Sequence, residues 1–285
     1  MKLSVIIPCL NAARTLRDTL EGLSRQTWTQ PWEVVLADNG STDGSNDLAL
    51  SFRDRIPNLR IVDASLRQGQ PFALNTGAHA ARGESIAFTD ADDQVADGWV
   101  AAMGNALAQH EMVACRIDAA KLNPAWSQNC PQREGVQKLW YPPWLPHVGG
   151  GTLGLRKDLF QKVGDFDEAL PYLHDTDFCI RAQMHGVNIY FVREAVLYFR
   201  NRSTLADHYR QARNYAEYNV ILAKRYWEPN VDKSMFWKCY AKDCFQLLRL
   251  ARSARSRDCR FQFAWSLGRQ IGRAKGVLKY RGVPV

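Results

Sequence analysis

Over its first ninety residues the chain exchanges two hydrophobic periodicities with a regularity that few folds can satisfy. Leu3–Ile7 is a short β-branched run, followed by Leu16, Leu20 and Leu23 at helical spacing. Glu33–Ala37 reads as the next strand and Ser45–Phe52 as the next helix, with Leu48 and Phe52 on one face. Leu59–Val62 is again a strand, Pro71–Ala81 a helix and Ser85–Thr89 a fourth strand. Strands alternating with helices at this spacing predict right-handed βαβ units and a mostly parallel, Rossmann-like α/β sheet flanked by helices. Ligands of such sheets bind beyond the carboxyl ends of the strands.

The residues at those ends are Pro8-Cys9-Leu10-Asn11, Asp38–Gly44, Ser65–Gly69 and Asp90-Ala91-Asp92-Asp93. No G-x-G-x-x-G follows the first strand, and no G-x-x-x-x-G-K-[ST] occurs anywhere. A dinucleotide-binding domain and a P-loop NTPase are both disfavoured.

Residues 99–146, rich in Trp, Pro and Gln, read as an irregular, substrate-facing excursion. The chain resumes at His147-Val148-Gly149-Gly150-Gly151, where the glycines permit a turn or close approach to a ligand. Lys157–Val163, the turn Gly164–Glu168, the helical Asp175–His185 and the strand Val187–Val192 form a second α/β stretch. Leu205, Tyr209, Ala212, Ala216, Val220, Ala223 and Trp227 then follow helical periodicity. The last fifty residues set aromatic side chains among many arginines, a composition that favours helix packing over a ligand box.

Charge is unevenly distributed. From Arg200 to Val285 there are 19 Lys/Arg against 6 Asp/Glu, whereas the preceding 199 residues hold 18 against 23. A basic tail of this kind attracts anionic surfaces, or is simply a solvated helical face. Arg249, Arg252, Arg255, Arg257 and Arg260 flank Trp and Phe residues, the pattern of an interfacial helix that docks on an anionic membrane. Closure over an acceptor and contact with a second copy stay open for the same segment. The acidic body argues against nucleic acid as a partner. No apolar run reaches the ~18 residues of a spanning helix, and the N-terminus lacks the pattern of a signal peptide. Seven scattered cysteines with no C-x-x-C pair suit reduced thiols. The expectation is a cytoplasmic protein, peripheral at most to the membrane.

Three carboxylates within Asp90–Asp93 repel one another unless a cation neutralises them. Oxygen donors in this arrangement suit a hard divalent ion, Mn²⁺ or Mg²⁺, shared with a diphosphate.

Ser4-Val5-Ile6-Ile7-Pro8, Asp38–Ser45 and Ala87–Asp93 resemble the ordered signatures of the family 2 glycosyltransferases, inverting enzymes of the GT-A fold. Gly164-Asp165-Phe166-Asp167-Glu168 and Asp175–Ala182 are similar to the family's later acidic block. The resemblance covers residues 3–200. It implies a catalytic domain over 1–200, with a nucleotide-binding half (1–98) and an acceptor half (99–200). The basic, amphipathic, helical region 201–285 lies outside it.

By this resemblance the donor is a nucleotide-diphosphate sugar, and the acceptor a glycan, a lipid-linked saccharide or another hydroxyl compound. Pro8 and Asn11 would line the nucleotide pocket together with Ala91 and Gly69. Asp38 and Asn39 stand at the paired-acid position that holds the base, although the second acid is here an amide. Asp90 would approach the ribose and share the metal with Asp92, and Asp175 matches the catalytic base. The Glu that usually precedes the base is His174. In Gly69–Gly77, similar to G-x-x-x-A-R-N-x-G, Leu74 replaces the arginine. The histidine usual near the domain's end is absent, and Arg200 or Arg202 would meet the diphosphate instead. His147 and His174 are candidates for acceptor or diphosphate contact. Trp140, Tyr141 and Trp144 read equally as sugar-stacking rings or as loop core. Asp92 and Asp175 would thus act at opposite ends of one displacement, on the leaving diphosphate and on the acceptor hydroxyl. The alternatives are a sugar-phosphate nucleotidyltransferase, which normally has a Gly-rich basic loop after its first strand, an Asp-x-Asp phosphatase, and a non-enzymatic binder of anionic surfaces or nucleic acid.

Overall fold

β1 (Leu3–Cys9), β2 (Trp32–Asp38), β3 (Leu59–Asp63) and β4 (Ser85–Phe88) pair in parallel, in the order β3-β2-β1-β4. The computed structural model describes residues 1–56, 58–124, 135–253 and 256–285, without the side chains of residues 252 and 253. Cys130, Arg255 and the side chain of Arg252 lie outside the described residues. Helices α1 (Leu16–Ser24), α2 (Ser45–Leu50) and α3 (Gln70–Ala80) make the crossovers. The strands are apolar at nearly every position because helices cover both faces. Val5, Ile7, Val34 and Leu36 pack with Leu16 and Leu20 on one side. Ile6, Val35, Ile86 and Phe88 pack with Leu74, Phe160 and Phe178 on the other.

The reading of residues 99–146 as irregular is corrected. α4 (Trp99–Leu107) and β6 (Met112–Asp118) occupy much of that stretch. Val100, Met103 and Leu107 form a core-facing stripe at helical spacing, a signal masked by the Trp, Pro and Gln that follow.

β9 (Leu153–Arg156) lies antiparallel between β4 and β6, while β10 (Ile189–Tyr198) runs parallel to β6. A two-residue strand, β5 (Gln94–Val95), closes the eight-stranded sheet beside β10. β7 (Val136–Lys138) and β8 (Pro146–Val148) form a separate pair. α5 (Lys157–Val163) and α6 (His174–Met184) cover the later half. Because β9 runs against β4, its beginning lies at the edge where β4 ends. The glycines that precede β9 therefore meet the acidic turn that follows β4.

One charge sits deep in this sheet. Glu33 accepts from the hydroxyl of Ser4 at 2.6 Å, the backbone N–H of Arg82 at 2.6 Å and the guanidinium of Arg60 at 2.8 Å. Burial pushes its pKa up, but these donors outweigh it and hold the carboxyl below its ordinary range.

The described residues divide into two compact units: one of residues up to 123, 135–137 and 146–200, the other of Pro124, 138–145 and 201–285. The second is built on α7 (Leu205–Arg225), α8 (Lys233–Ser253) and α9 (Arg257–Tyr280). Thr204 and Ser256 cap α7 and α9 by accepting from the N–H groups of Asp207 and Cys259. Gly268, Gly272 and Gly276 form a stripe on α9 whose added Cβ atoms would fall 2.5, 2.1 and 2.8 Å from the carbonyl oxygens of Tyr209, Arg213 and Glu217. The backbones of α7 and α9 thus touch, which only glycine allows. Arg273 is buried, donating to Asp243 of α8 at 2.8 Å and to the carbonyl of Val285 at 2.9 Å. Trp140 and Trp144 pack on Phe236, and Tyr141 is buried with its hydroxyl on Asn219. Tyr141 is thus loop core, Trp144 is half-buried and Trp140 stays 42 % exposed.

Candidate active site

The acidic turn begins two residues past β4. One carboxylate oxygen each from Asp90, Asp92 and Asp93 lie within 4.8 Å of one another. The turn is braced from several elements. Thr19 of α1 donates to the carbonyl of Asp93 at 2.6 Å, and Gln70, at the start of α3, donates to Asp90 at 2.9 Å. Arg200, just beyond β10, donates its N–H to the Asp93 carboxylate at 2.8 Å and its guanidinium to the carbonyl of Asp92 at 2.9 Å. The same guanidinium pairs with Asp18 at 2.5 Å. Arg200 thus braces the turn with both its main chain and its guanidinium. Arg202 belongs to the second unit.

Asp175 lies in the first turn of α6, after Leu173 in the left-handed conformation. One carboxylate oxygen accepts from the N–H of Thr176 at 2.7 Å and the other from the N–H of Gly150 at 2.6 Å. The next residue, Gly151, lies so close to the acidic turn that an added Cβ would stand 2.8 Å from Oδ2 of Asp90. Asp90 and Asp175, 85 positions apart in the chain, therefore border a single glycine turn.

His174 does not face outward. It is 4 % exposed and packs edge-on to Phe166 at 5.6 Å, and burial holds its pKa below the ordinary value. It packs on Phe166 and stands next in the chain to Asp175. His147 is half-buried in β8, two residues before Gly149, and burial again lowers its pKa while the charge of Asp175 opposes the shift.

At the tips of β1 and β2 the polar residues bind one another. Asp38 accepts from the N–H of Ser41 at 3.0 Å and from Asn46 at 2.8 Å. Asn11, at φ 51°, accepts from the N–H of Thr42 at 2.8 Å. Asn39 donates to the carbonyls of Ala64 at 2.5 Å and Arg67 at 2.8 Å, and accepts from the N–H of Gly69 at 2.8 Å. Its amide is committed to the loop between β3 and α3, two donors and one acceptor that a carboxylate could not supply. An amide at the paired-acid position thus has a local cause. Pro8 is half-buried at the end of β1, and Ala91 is buried beneath the acidic turn. Leu74, which replaces the expected arginine, is in the core.

The sequence reading missed three supports. Asn75 exchanges two hydrogen bonds of 2.9 Å with the main chain of Phe166, tying α3 to the Gly164–Glu168 turn. Its place in the Gly69–Gly77 segment was the available signal. Gln70 and Thr19 carried none, because their partners lie 20 and 74 positions away. Arg181 binds Asp177 at 2.8 Å, the ion pair expected from their i, i+4 spacing, and also reaches the carbonyl of Asp165 at 2.7 Å.

The acidic turn and Asp175 thus lie at one edge of a mostly parallel sheet, and comparison with known proteins gives the class. Residues 4–164 match the family described as "Glycosyl transferase family 2", and residues 137–266 match "Glycosyl transferase family group 2". The chain belongs to glycosyltransferase family 2. It is 35 % identical over 203 residues to glycosyltransferase AglE of Haloferax volcanii, a match covering 68 % of this chain and 65 % of AglE. It is 40 % identical over 94 residues to the uncharacterized glycosyltransferase YibD of Escherichia coli, covering 33 % of this chain and 27 % of YibD. The chain thus spans less than two thirds of either relative. Among solved structures, the mannosyltransferase PcManGT of Pyrobaculum calidifontis, in complex with GDP-Man and Mn²⁺, superposes with a TM-score of 0.66 at 19 % identity, covering 97 % of this chain and 87 % of that one. S. aureus TarS 1–349, in complex with UDP, gives 0.57 at 17 % identity, covering 99 % and 92 %. The fold is GT-A.

Proposed function

We propose that this chain transfers a glycosyl group from a nucleotide-diphosphate sugar to an acceptor hydroxyl, with inversion at the anomeric carbon. The observation that carries this reading is the shared glycine turn, with Asp90 beside Gly151 and Asp175 bonded to Gly150.

The clustered oxygens of Asp90, Asp92 and Asp93 are all-carboxylate donors, a set that fits a hard divalent ion, Mn²⁺ or Mg²⁺. Asp92 and Asp90 would hold it. When bound, such an ion stabilises the charge that grows on a departing diphosphate.

The chain's own residues supply the rest. Asp38 and Asn39, with Pro8, Asn11 and Gly69, shape the nucleotide pocket at the strand tips. Asn39 contributes by holding the loop that ends at Gly69, and Ala91 gives the acidic turn its apolar floor. Asp175 takes the proton from the acceptor hydroxyl as that oxygen attacks. Its second oxygen, bonded to Thr176, keeps the carboxylate oriented toward the glycine turn. One base suffices for a direct displacement, hence inversion. Glycans and lipid-linked saccharides are the acceptors this reading favours, and the scattered thiols support a reducing, cytoplasmic setting.

The test is a transfer and donor-hydrolysis screen with UDP-, GDP- and dTDP-sugars, with and without Mn²⁺ or Mg²⁺. Asp175→Asn is expected to lower turnover about 1,000-fold with donor binding retained. Asp92→Ala is expected to abolish the metal-dependent part of donor binding. Undiminished turnover by Asp175→Asn removes the assignment of the base.

A further inference from the structure

We infer that the outer face of α8 docks on an anionic lipid bilayer. α8 has two unlike sides. Its inner side is occupied: Phe236 is buried under Trp140 and Trp144, Asp243 pairs with Arg273 of α9, and the hydroxyl of Tyr240 reaches the carbonyl of Gln270 at 3.4 Å. Its outer side carries Trp237, Phe245 and Leu248 at 47 %, 60 % and 62 % exposure. Lys238, Lys242 and Arg249 are exposed among them. At 3.6 residues per turn these six side chains fall within about 140° of the helix circumference.

Large apolar groups left in water cost free energy, and three on one helix face form a patch that calls for a partner. The cations interleaved with them decide which partner. Arg249 lies over the ring of Phe245 at 5.3 Å, so charge and apolar surface are presented together. A protein partner with an apolar groove would have to desolvate these cations. A bilayer interface does not: its acyl boundary takes the rings and Leu248, and its phosphates take the lysines and the arginine. The field of the whole segment has the same sign, with 19 Lys/Arg against 6 Asp/Glu from Arg200 onward. Among the described residues no helix is long and apolar enough to cross a membrane, so contact through α8 is at the surface.

The experiment is co-sedimentation of the full chain with vesicles of phosphatidylcholine alone and of phosphatidylcholine containing phosphatidylglycerol. It reads binding without turnover, so its outcome is independent of the proposed chemistry. The expected result is binding to the anionic vesicles only. The variant Lys238→Gln/Lys242→Gln/Arg249→Gln should weaken it about 100-fold, at roughly the usual cost per basic residue near a charged surface. Phe245→Ser/Leu248→Ser should weaken it at least about tenfold by removing the inserted groups. Both variants change exposed residues, and unchanged thermal melts establish that they fold. Equal binding to both vesicle types, no binding to either, or binding that neither variant alters overturns the inference. So does a lipid-free self-association that Phe245→Ser/Leu248→Ser dissolves, which would make a second copy the occupant.

Discussion

Asp175 and Asp90 are joined through two consecutive glycines: the N–H of Gly150 donates to Asp175 at 2.6 Å, and Gly151 presses on Asp90 so closely that a methyl group there would stand 2.8 Å from its carboxylate. The proposed base and one proposed metal ligand thus depend on the same short turn. That dependence can be probed without touching either carboxylate.

Gly151→Ala is the direct probe. The added methyl meets the far end of the Asp90 side chain, which can swing away, so the cost to stability should stay near 1 kcal/mol. The carboxylate cannot swing and also keep its place in the cluster. Calorimetric titration with Mn²⁺ and nucleoside diphosphate should show affinity reduced about tenfold, with the thermal midpoint nearly unchanged. Unaltered affinity would mean that Asp90 is not a ligand.

Asn39→Asp tests why an amide occupies the paired-acid position. The carboxylate would face the carbonyls of Ala64 and Arg67 with nothing to donate. Leaving buried acceptors unsatisfied costs about 1–3 kcal/mol each. Urea unfolding should show a loss of about 3 kcal/mol, with donor affinity falling as the loop at Gly69 loosens. A variant as stable as the parent would show that the amide is not required for the loop.

Stability should also depend on pH through buried histidine. Burial lowers the folded-state pKa of His174, and those of His147 and His208 move in the same direction. As pH falls below about 6.5, the unfolded chain binds protons that the folded chain refuses, so stability declines on acidification. Between pH 7.5 and 5.5 the urea midpoint should fall, and His174→Leu should make that fall shallower. The buried carboxylate of Glu33, whose pKa is lowered, remains ionised in both states over this interval and contributes only at lower pH.

Gly272→Ala addresses the second unit. Its methyl would stand 2.1 Å from the carbonyl oxygen of Arg213, which belongs to a helix backbone and cannot move alone. Although alanine favours helix by about 1 kcal/mol over glycine, overpacking of about 3 kcal/mol should prevail. A lowered melting midpoint is expected, and a raised one would mean that α7 and α9 do not approach as closely as described.

Much of the first half was legible because local pattern and final environment agree there. Leu3–Ile7 and Glu33–Ala37 end as buried parallel strands and Leu59–Val62 as a half-buried edge strand, and the helices between them carry their stripes toward those strands. The acidic turn was legible for a different reason: three carboxylates in four residues have few uses. α4 and β6 were missed where their apolar spacing was diluted by the Trp- and Pro-rich residues that follow. The glycine stripe of α9 was overlooked because glycine at every fourth helical position looks like weakness until a partner backbone fills the space.

Primary structure alone thus established the order of strands and helices over the first ninety residues, the acidic tip of β4, the family likeness and the basic tail. Those follow from side-chain chemistry and near-neighbour periodicity, which act over a few residues. Folding decided that Asp90 meets the turn carrying Asp175, that His174 is packed away, that Arg200 braces the acidic loop and that Asn39 serves a loop. Each of these depends on which strands are neighbours and in which direction they run. The antiparallel insertion of β9 beside β4 sets that arrangement, and it is fixed by long-range pairing that no local pattern encodes.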